Sequence, residues 1–449
     1  MAFEITADFL EKIVGLIYEK NDSAIKKLFA EVHFADIAEV LDEVNFEEAI
    51  YIIKLLDSEK TSEILTELDE DIREKILENL SAQEIADEVG EMDTDDAADI
   101  IGELSEERQK KVINALEDDD LAADIKELLS YEENTAGALM AKELVKVYET
   151  WTVAGCMRRI RGQAKEVTRV HSIYVVNKED KLVGRLSLKD LIIAKSDQKI
   201  ADIAKDTVDF VMVDEEDETV AKIMAKYDLE AIPVVDKNHV LLGRITIDDI
   251  VDVLKEEADK DYQMAAGLTQ DVDSDDSILQ LTKARLPWLF LGLIGGVGAF
   301  IIMEGFQSVF AKYATLFFFT PLIAAMAGNV GVQSSAIIVQ GLANDDVKGS
   351  INSRLFKEML LAALNGIILA LFLFLFVWAY QGKLDLAMAI SVSLVVVIII
   401  AGLIGTFVPL FLNKRGIDPA IATGPFITTS NDIFGILIYF MIAKLILGI

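Results

Sequence analysis

The chain has one cysteine, three histidines and six prolines in 449 residues, and each scarcity excludes something. A lone Cys156 cannot close a disulfide within the chain and fits a reducing, cytosolic side. His33, His171 and His239 with that one thiol leave too few soft ligands for a zinc site. No proline precedes Pro233, so the first half lacks the residue that most strongly interrupts a helix. Bases are scarce too: 42 Lys and Arg stand against 76 Asp and Glu, a net charge of −34. An acidic body of this kind repels nucleic acid and anionic lipid, which points to cations or basic partners. The first residues, MAFEITADFLEKIVGLIYEK, have no cationic stretch ahead of an apolar run, so a secretory signal is not expected. There is no nucleophile–base pair or phosphate loop to support an enzyme.

The charge is unevenly placed. Residues 1–150 carry 42 acidic and 14 basic residues, a net of −28, whereas residues 301–449 carry 7 and 8, a net of +1. This contrast predicts an acidic soluble front and a membrane domain behind it. Within residues 1–130, apolar residues recur at helical spacing, as in Ile37, Val40, Leu41 and then Ile50, Ile53, Leu56. Polar starts separate them, among them the capping box Ser81-Ala-Gln-Glu84. Short helices in tandem predict an all-α, superhelical, armadillo-like domain.

An internal repeat follows. SIYVVNKEDKLVGRLSLKDLI (Ser172–Ile192) superimposes on AIPVVDKNHVLLGRITIDDIV (Ala231–Val251) at an offset of 59. Each copy reads strand, turn, strand, then a hydroxyl at an N-cap position, Ser187 or Thr246, opening a helix. The pair resembles tandem cystathionine β-synthase (CBS) domains of α/β type.

Five apolar stretches are each long enough for a hydrocarbon core of ~30 Å: Leu286–Phe310, Leu316–Leu342, Phe356–Tyr380, Leu386–Leu412 and Ile421–Leu447. Arg285, Lys348, Arg354, Lys357, Lys414 and Arg415 fall on one side, and Lys312, Lys383 and Lys444 on the other. The positive-inside rule then puts the N-terminal body in the cytosol and the C-terminus outside the cell membrane. In the last stretch stands Asp432, the one formal charge between Asp418 and Lys444. A carboxylate at the centre of a membrane helix costs ~2.5–3.5 kcal/mol even on lenient scales, and such residues usually line a polar path or meet a cation. Asn431 precedes it and Gly435 follows. In the second stretch Asn329 and Gln333 are four apart and project from one helix face. Two amides and an aspartate suit a hydrated hard cation.

The string Pro321-x₆-Gly328-Asn329-x-Gly331-x-Gln333-Ser334, with Asp418-Pro419-Ala420 and Ser430-Asn431-Asp432-x-x-Gly435, resembles the MgtE family of magnesium transporters. Glu133-x-Thr135-Ala136-Gly137-x-Leu139-Met140 and Arg285-x-Pro287-Trp288-Leu289 are similar to it too. Ala325, Ala327 and Val332 depart from the family's usual Gly-Met-Gly-Gly-Asn-x-Gly-Asn-Gln. The resemblance implies four parts: an acidic helical domain (1–130), a CBS pair (131–255), a connecting or plug helix (256–280) and a five-helix transmembrane domain (281–449). It implies a homodimer in the lipid bilayer with one pore lined by the second and fifth spans, and no nucleic-acid partner. Asp432 of both chains would hold Mg²⁺, with Asn329, Gln333, Asn431 and Gly435 lining the pore.

The resemblance further casts Asp95, Asp99, Asp214, Glu218, Asp228, Asp249, Asp252, Glu257 and Asp261 as carboxylates that sense cytosolic Mg²⁺ and close the gate. Ser187 and Asp190 would take ATP as a regulatory ligand. Import of another divalent cation, Mn²⁺ or Co²⁺, stays open, since oxygen ligands serve these as well. A CBS-gated anion channel is disfavoured by the intramembrane acid.

Overall fold

The computed structural model describes residues 5–165, 167, 169–270, 272, 276–344, 347, 349–422 and 424–448. Lys348, used above for topology, lies outside them. The chain divides into two compact units, Met1–Lys255 and Glu256–Ile449.

The first unit opens with ten short helices: α1 (Ala7–Tyr18), α2 (Asp22–Phe29), α3 (Phe34–Glu43), α4 (Phe46–Ile53), α5 (Ser58–Glu67), α6 (Glu70–Asn79), α7 (Ala82–Val89), α8 (Thr94–Gly102), α9 (Glu106–Ile113) and α10 (Asp119–Leu128). Capping explains why they start where they do. Asn45 with Glu48, and Ser81 with Glu84, form reciprocal capping boxes that satisfy otherwise orphaned N–H groups. Alternate helices then stack, α3 on α5, α5 on α7 and α7 on α9. Side chains tie residues about one stack apart. The Arg108 guanidinium donates to the Leu77 and Leu80 carbonyls, both at 2.8 Å, and Arg73 pairs with Glu103. Arg108 thereby supplies side-chain donors at the C-terminal end of α6, where helix carbonyls run short of intrahelical partners.

The repeat folds into two three-stranded sheets of one topology. β1 (Val145–Tyr148) lies parallel to β2 (Ile173–Val176), which pairs antiparallel with β3 (Leu182–Leu186). β4 (Val211–Met212), β5 (Ala231–Val235) and β6 (Leu241–Thr246) repeat that order. The offset of 59 extends to irregularities: the register slips at Val175/Val176 and again at Val234/Val235. Helices α11 (Val153–Gln163), α12 (Leu188–Ile193) and α13 (Asp217–Tyr227) complete the two copies. The Ala141 N–H donates to the Arg244 carbonyl at 2.8 Å, and the Arg244 N–H donates back to the Ala141 carbonyl at 2.9 Å. The segment before β1 therefore pairs with the edge of the second copy. One apolar core consequently runs from the short helices through Ala136 and Met140 into Val220, Ile232 and Ile250, while the first copy keeps its own core around Val147, Ile160 and Ile173.

α14 (Ile247–Ala266) begins in the first unit and ends in the second. The connecting helix thus starts nine residues before residue 256 and stops well short of 280, where Gly267 adopts φ +86°. Among the described residues, the second unit holds five helices long and apolar enough to cross a membrane: α15 (Ile278–Gly305), α17 (Thr315–Ala343), α18 (Ile351–Gln381), α19 (Leu384–Asn413) and α20 (Gly424–Leu447). The first was expected to run to Phe310. It ends at Gly305, because Phe306 leaves helical geometry at φ −104°, ψ 16°, and a short α16 (Gln307–Lys312) follows. α19 packs on α17, α18 and α20, and α15 packs on α20.

Candidate cation sites

Glycines let α17, α19 and α20 approach closely. A side chain at Gly331 would run into Asn431 and Ile427, and one at Gly405 into the Gly331 backbone. The Cβ position of Gly328 lies 3.4 Å from Thr428 and 3.8 Å from the Asp432 carboxylate. Close approach of α17 and α20 leaves a cavity of about 420 Å³ lined by Gly328, Asn329, Gln333, Thr428 and Asp432, with Ala324, Ala325 and Val332 as its apolar wall. Asn329, Gln333 and Asp432, singled out far apart in sequence, therefore share one cavity. It offers one carboxylate, two amides and one hydroxyl, too few to strip a dication of its water.

Asn431 and Gly435 do not line that cavity. Asn431 is 1% exposed and wedged against Gly331, and Gly435 faces Ala327 and Val397. The reason is rotational: successive residues of a helix point about 100° apart, so aiming Asp432 into the cavity turns Asn431 into the packing. The sequence reading also missed Glu358 on α18, whose carboxylate accepts a 2.6 Å bond from the Ser334 hydroxyl on α17.

A second cavity, about 820 Å³, lies beside the first; Ala324, Thr428 and Asp432 line both. Its other walls come from Ala266–Leu268 at the end of α14, from α15 between Arg285 and Ala299, and from Pro425. The Ala265 carbonyl meets Gly424, and Gly267 packs on Pro425. The end of α14 thus abuts the start of α20, eight residues ahead of Asp432.

The first unit gathers acids around the starts of α8 and α14. Asp95 is 9% exposed and is pushed well above the usual carboxylate range by burial and then by the charge of Asp249. Burial and Asp249 likewise push Asp96 up to about 7. Asp249 rises to about 6 through burial, against two opposing hydrogen bonds from Thr246. Arg244 in their midst is 6% exposed and lies 3.8 Å from Asp93. Asp93, Asp96 and Arg244 escaped the sequence reading. The local cause of the clustering is that helix N-termini favour carboxylates and here two such ends meet. The lock that holds them together is Glu143, which accepts from the Thr94 N–H and hydroxyl at 3.2 and 2.8 Å.

The other expected sensors are placed apart from this cluster or engage bases of their own. Asp214 pairs with Lys237 at 3.2 Å, Glu218 with Lys222 at 2.6 Å and Glu257 with Lys260 at 2.9 Å. Asp228 ends α13 in a left-handed conformation at φ 51°, Asp99 and Asp252 are exposed, and Asp261 is half-buried. Among the described residues, no three His, Cys, Asp or Glu side chains stand close enough to hold one metal ion together.

Ser187 and Asp190 form a reciprocal cap. The Asp190 carboxylate accepts from the Ser187 N–H at 3.0 Å and hydroxyl at 2.6 Å, and the Asp190 N–H donates back at 3.1 Å. Those bonds, then the nearby charges of Lys205 and Lys189, hold its carboxyl below the usual range.

Residues 320–442 match the family model for the divalent cation transporter MgtE, residues 32–134 that for the MgtE intracellular N domain, and residues 136–197 and 200–256 that for the CBS domain. The chain is 37% identical over 325 residues to a magnesium transporter MgtE of Enterococcus faecalis, covering 72% of each chain. It is 34% identical over 328 residues to a namesake in Thermus thermophilus, covering 72% of this chain and 73% of that one. Among solved structures, the cytosolic domain of the Mg²⁺ channel MgtE in complex with ATP aligns with TM-score 0.52 at 32% identity, over 54% of this chain and 99% of that one. The soluble part of a magnesium transporter aligns with TM-score 0.50 at 31% identity, over 56% and 98%.

Proposed function

Because this chain belongs to the MgtE family of magnesium transporters, we propose that it is a Mg²⁺-gated channel importing Mg²⁺ into the cytosol past Asp432. The observation that carries this reading is the cavity uniting Asp432 with Asn329, Gln333 and Thr428 inside a five-helix membrane unit. Mg²⁺ dehydrates reluctantly and is usually held by one or two carboxylates with several waters kept. The sparse oxygen ligands and the apolar wall of Ala324, Ala325 and Val332 suit an ion that keeps its hydration shell. In a homodimer two Asp432 carboxylates would face one another, and a dication between them relieves their repulsion. With the N-terminal unit cytosolic, an inside-negative potential draws the ion inward at ~2.3 kcal/mol per charge per 100 mV.

The gate uses the second group of acids. Asp95, Asp96 and Asp249 carry raised carboxyls in a crowded space, so their ionised forms repel until a cation enters. Acid groups without three direct ligands fit a hydrated Mg²⁺ held through water. Cytosolic Mg²⁺ bound there, and at the carboxylates of Asp99, Asp214, Glu218, Asp228, Asp252, Glu257 and Asp261, would favour the closed assembly. The ion must bind that assembly more tightly, or it shifts nothing. Movement of α14 would reach Asp432 through the packing of Ala265 and Gly267 on Gly424 and Pro425. ATP as a modulator suits the first CBS copy, where Ser187, Asp190, Lys189 and Lys205 offer a capped helix start and two cations for phosphates.

Flux into liposomes under Mg²⁺, Mn²⁺, Ca²⁺ and chloride gradients tests the reading. Mg²⁺ entry that Asp432→Ala abolishes is expected. Preferential Mn²⁺ entry would transfer the assignment to another divalent cation, and chloride flux would end it.

A further inference from the structure

We propose that the 820 Å³ cavity between α15 and α20 takes one acyl chain of an anionic phospholipid, with the lipid phosphate on Arg285. α15 is the least covered membrane helix, with 6% of its most apolar window buried, so the cavity it borders is within reach of the bilayer. Trp288 and Leu289 follow Arg285 along the wall, and the floor is made by Gly292 and Gly296. Open space surrounds the Cβ positions of both glycines, so the floor is smooth and suits an unbranched methylene chain.

Arg285 is exposed, and no described residue forms an ion pair with it. A guanidinium binds a phosphate in bidentate fashion. Basic pockets between membrane helices are recognised sites for acidic headgroups, and a tryptophan at Trp288 belongs at headgroup level. The strongly acidic first unit repels such lipids, but the membrane unit carries its own cations and needs no help from it. Occupancy has a consequence for the ion path. Ala324, Thr428 and Asp432 line both cavities, so a chain in the larger one would seal the side of Asp432 that faces away from Asn329 and Gln333. The proposal needs only membrane insertion and stands whichever cation is carried.

The test uses the full chain with Trp151→Phe and Trp378→Phe, which leaves Trp288 as the one remaining tryptophan of three. The protein is reconstituted in phosphatidylcholine vesicles containing a minor fraction of phosphatidylglycerol, with bromine on the acyl chains of one lipid or the other. Brominated phosphatidylglycerol is expected to quench Trp288 about fivefold more effectively per mole, the preference one cation gives an acidic lipid. Arg285→Gln should abolish that preference. Gly296→Leu, whose Cβ would enter open space, should fill the cavity and lower quenching by both lipids while leaving Arg285 in place. Equal quenching by the two lipids in the parent overturns the proposal. So does a preference that survives Arg285→Gln, or quenching unchanged by Gly296→Leu, which would mean Trp288 sees bulk lipid. Strong protection of Trp288 from both lipids would place a second copy of the chain in the cavity and overturn it equally.

Discussion

Replacing Asp96 by asparagine should make the protein more stable without Mg²⁺ and much less responsive to it. Burial and the charge of Asp249 push the Asp96 carboxyl up from 3.8 to about 7. Each unit corresponds to about 1.4 kcal/mol, so holding the ionised form in place costs ~4 kcal/mol near pH 8. Solvent and counter-ions screen part of that, leaving about 2 kcal/mol for asparagine to recover. A change of that size in a unit of this length moves a melting midpoint by roughly 4–8 °C.

The sign with pH follows from proton binding. The folded state holds its proton to higher pH than the unfolded state, so stability rises as pH falls through about 7 toward the unfolded value near 4. The gain from Asp96→Asn should therefore be largest near pH 8 and shrink near pH 5.5. Mg²⁺ binding needs the carboxylates ionised, so its stabilising effect should fade over the same interval. Melting of the full chain in detergent, with EDTA or with Mg²⁺ at both pH values, reads all three quantities. A lower midpoint for Asp96→Asn in EDTA, or an undiminished Mg²⁺ shift in that variant, would refute the reasoning.

Two further outcomes are expected. Gly331→Ala would drive a methyl group into Asn431 and within 2.8 Å of Ile427, costing about 1–3 kcal/mol of overpacking; a lower midpoint for the membrane unit in a detergent melt checks it, and an unchanged one removes the packing argument. Asp190→Ala should abolish ATP binding measured by calorimetry on the full chain, whereas Asp249→Ala should leave it, because Asp249 faces the acids Asp95 and Asp248 while Asp190 stands near Lys189 and Lys205; the reverse pattern would move the nucleotide to the second CBS copy.

Much of this architecture was legible because the signals were local or repeated. The 59-residue offset was visible as matched side chains, and it carried through to matched register slips at Val175 and Val234. Asn329 and Gln333 could be paired from their four-residue spacing, and Asp432 stood out because a charge in an apolar helix is expensive. The limit appears one residue away. Asn431 and Asp432 are both polar and adjacent, and nothing in the string says which of them faces the cavity; the packing of Gly331 decides it by leaving room for the Asn431 amide.

The acidic cluster marks a second limit. Asp93 and Arg244 lie far apart in the sequence, and they meet because Ala141 pairs with the far edge of the second copy and Glu143 locks onto Thr94. That stitch brings two helix N-termini together, each already carrying the acids its own capping favours. Local rules for starting helices have therefore assembled a site that neither helix encodes alone. The same carboxylates that favour each helix start oppose the contact between the two, which is why a cation, or the loss of a charge at Asp96, should favour the contact.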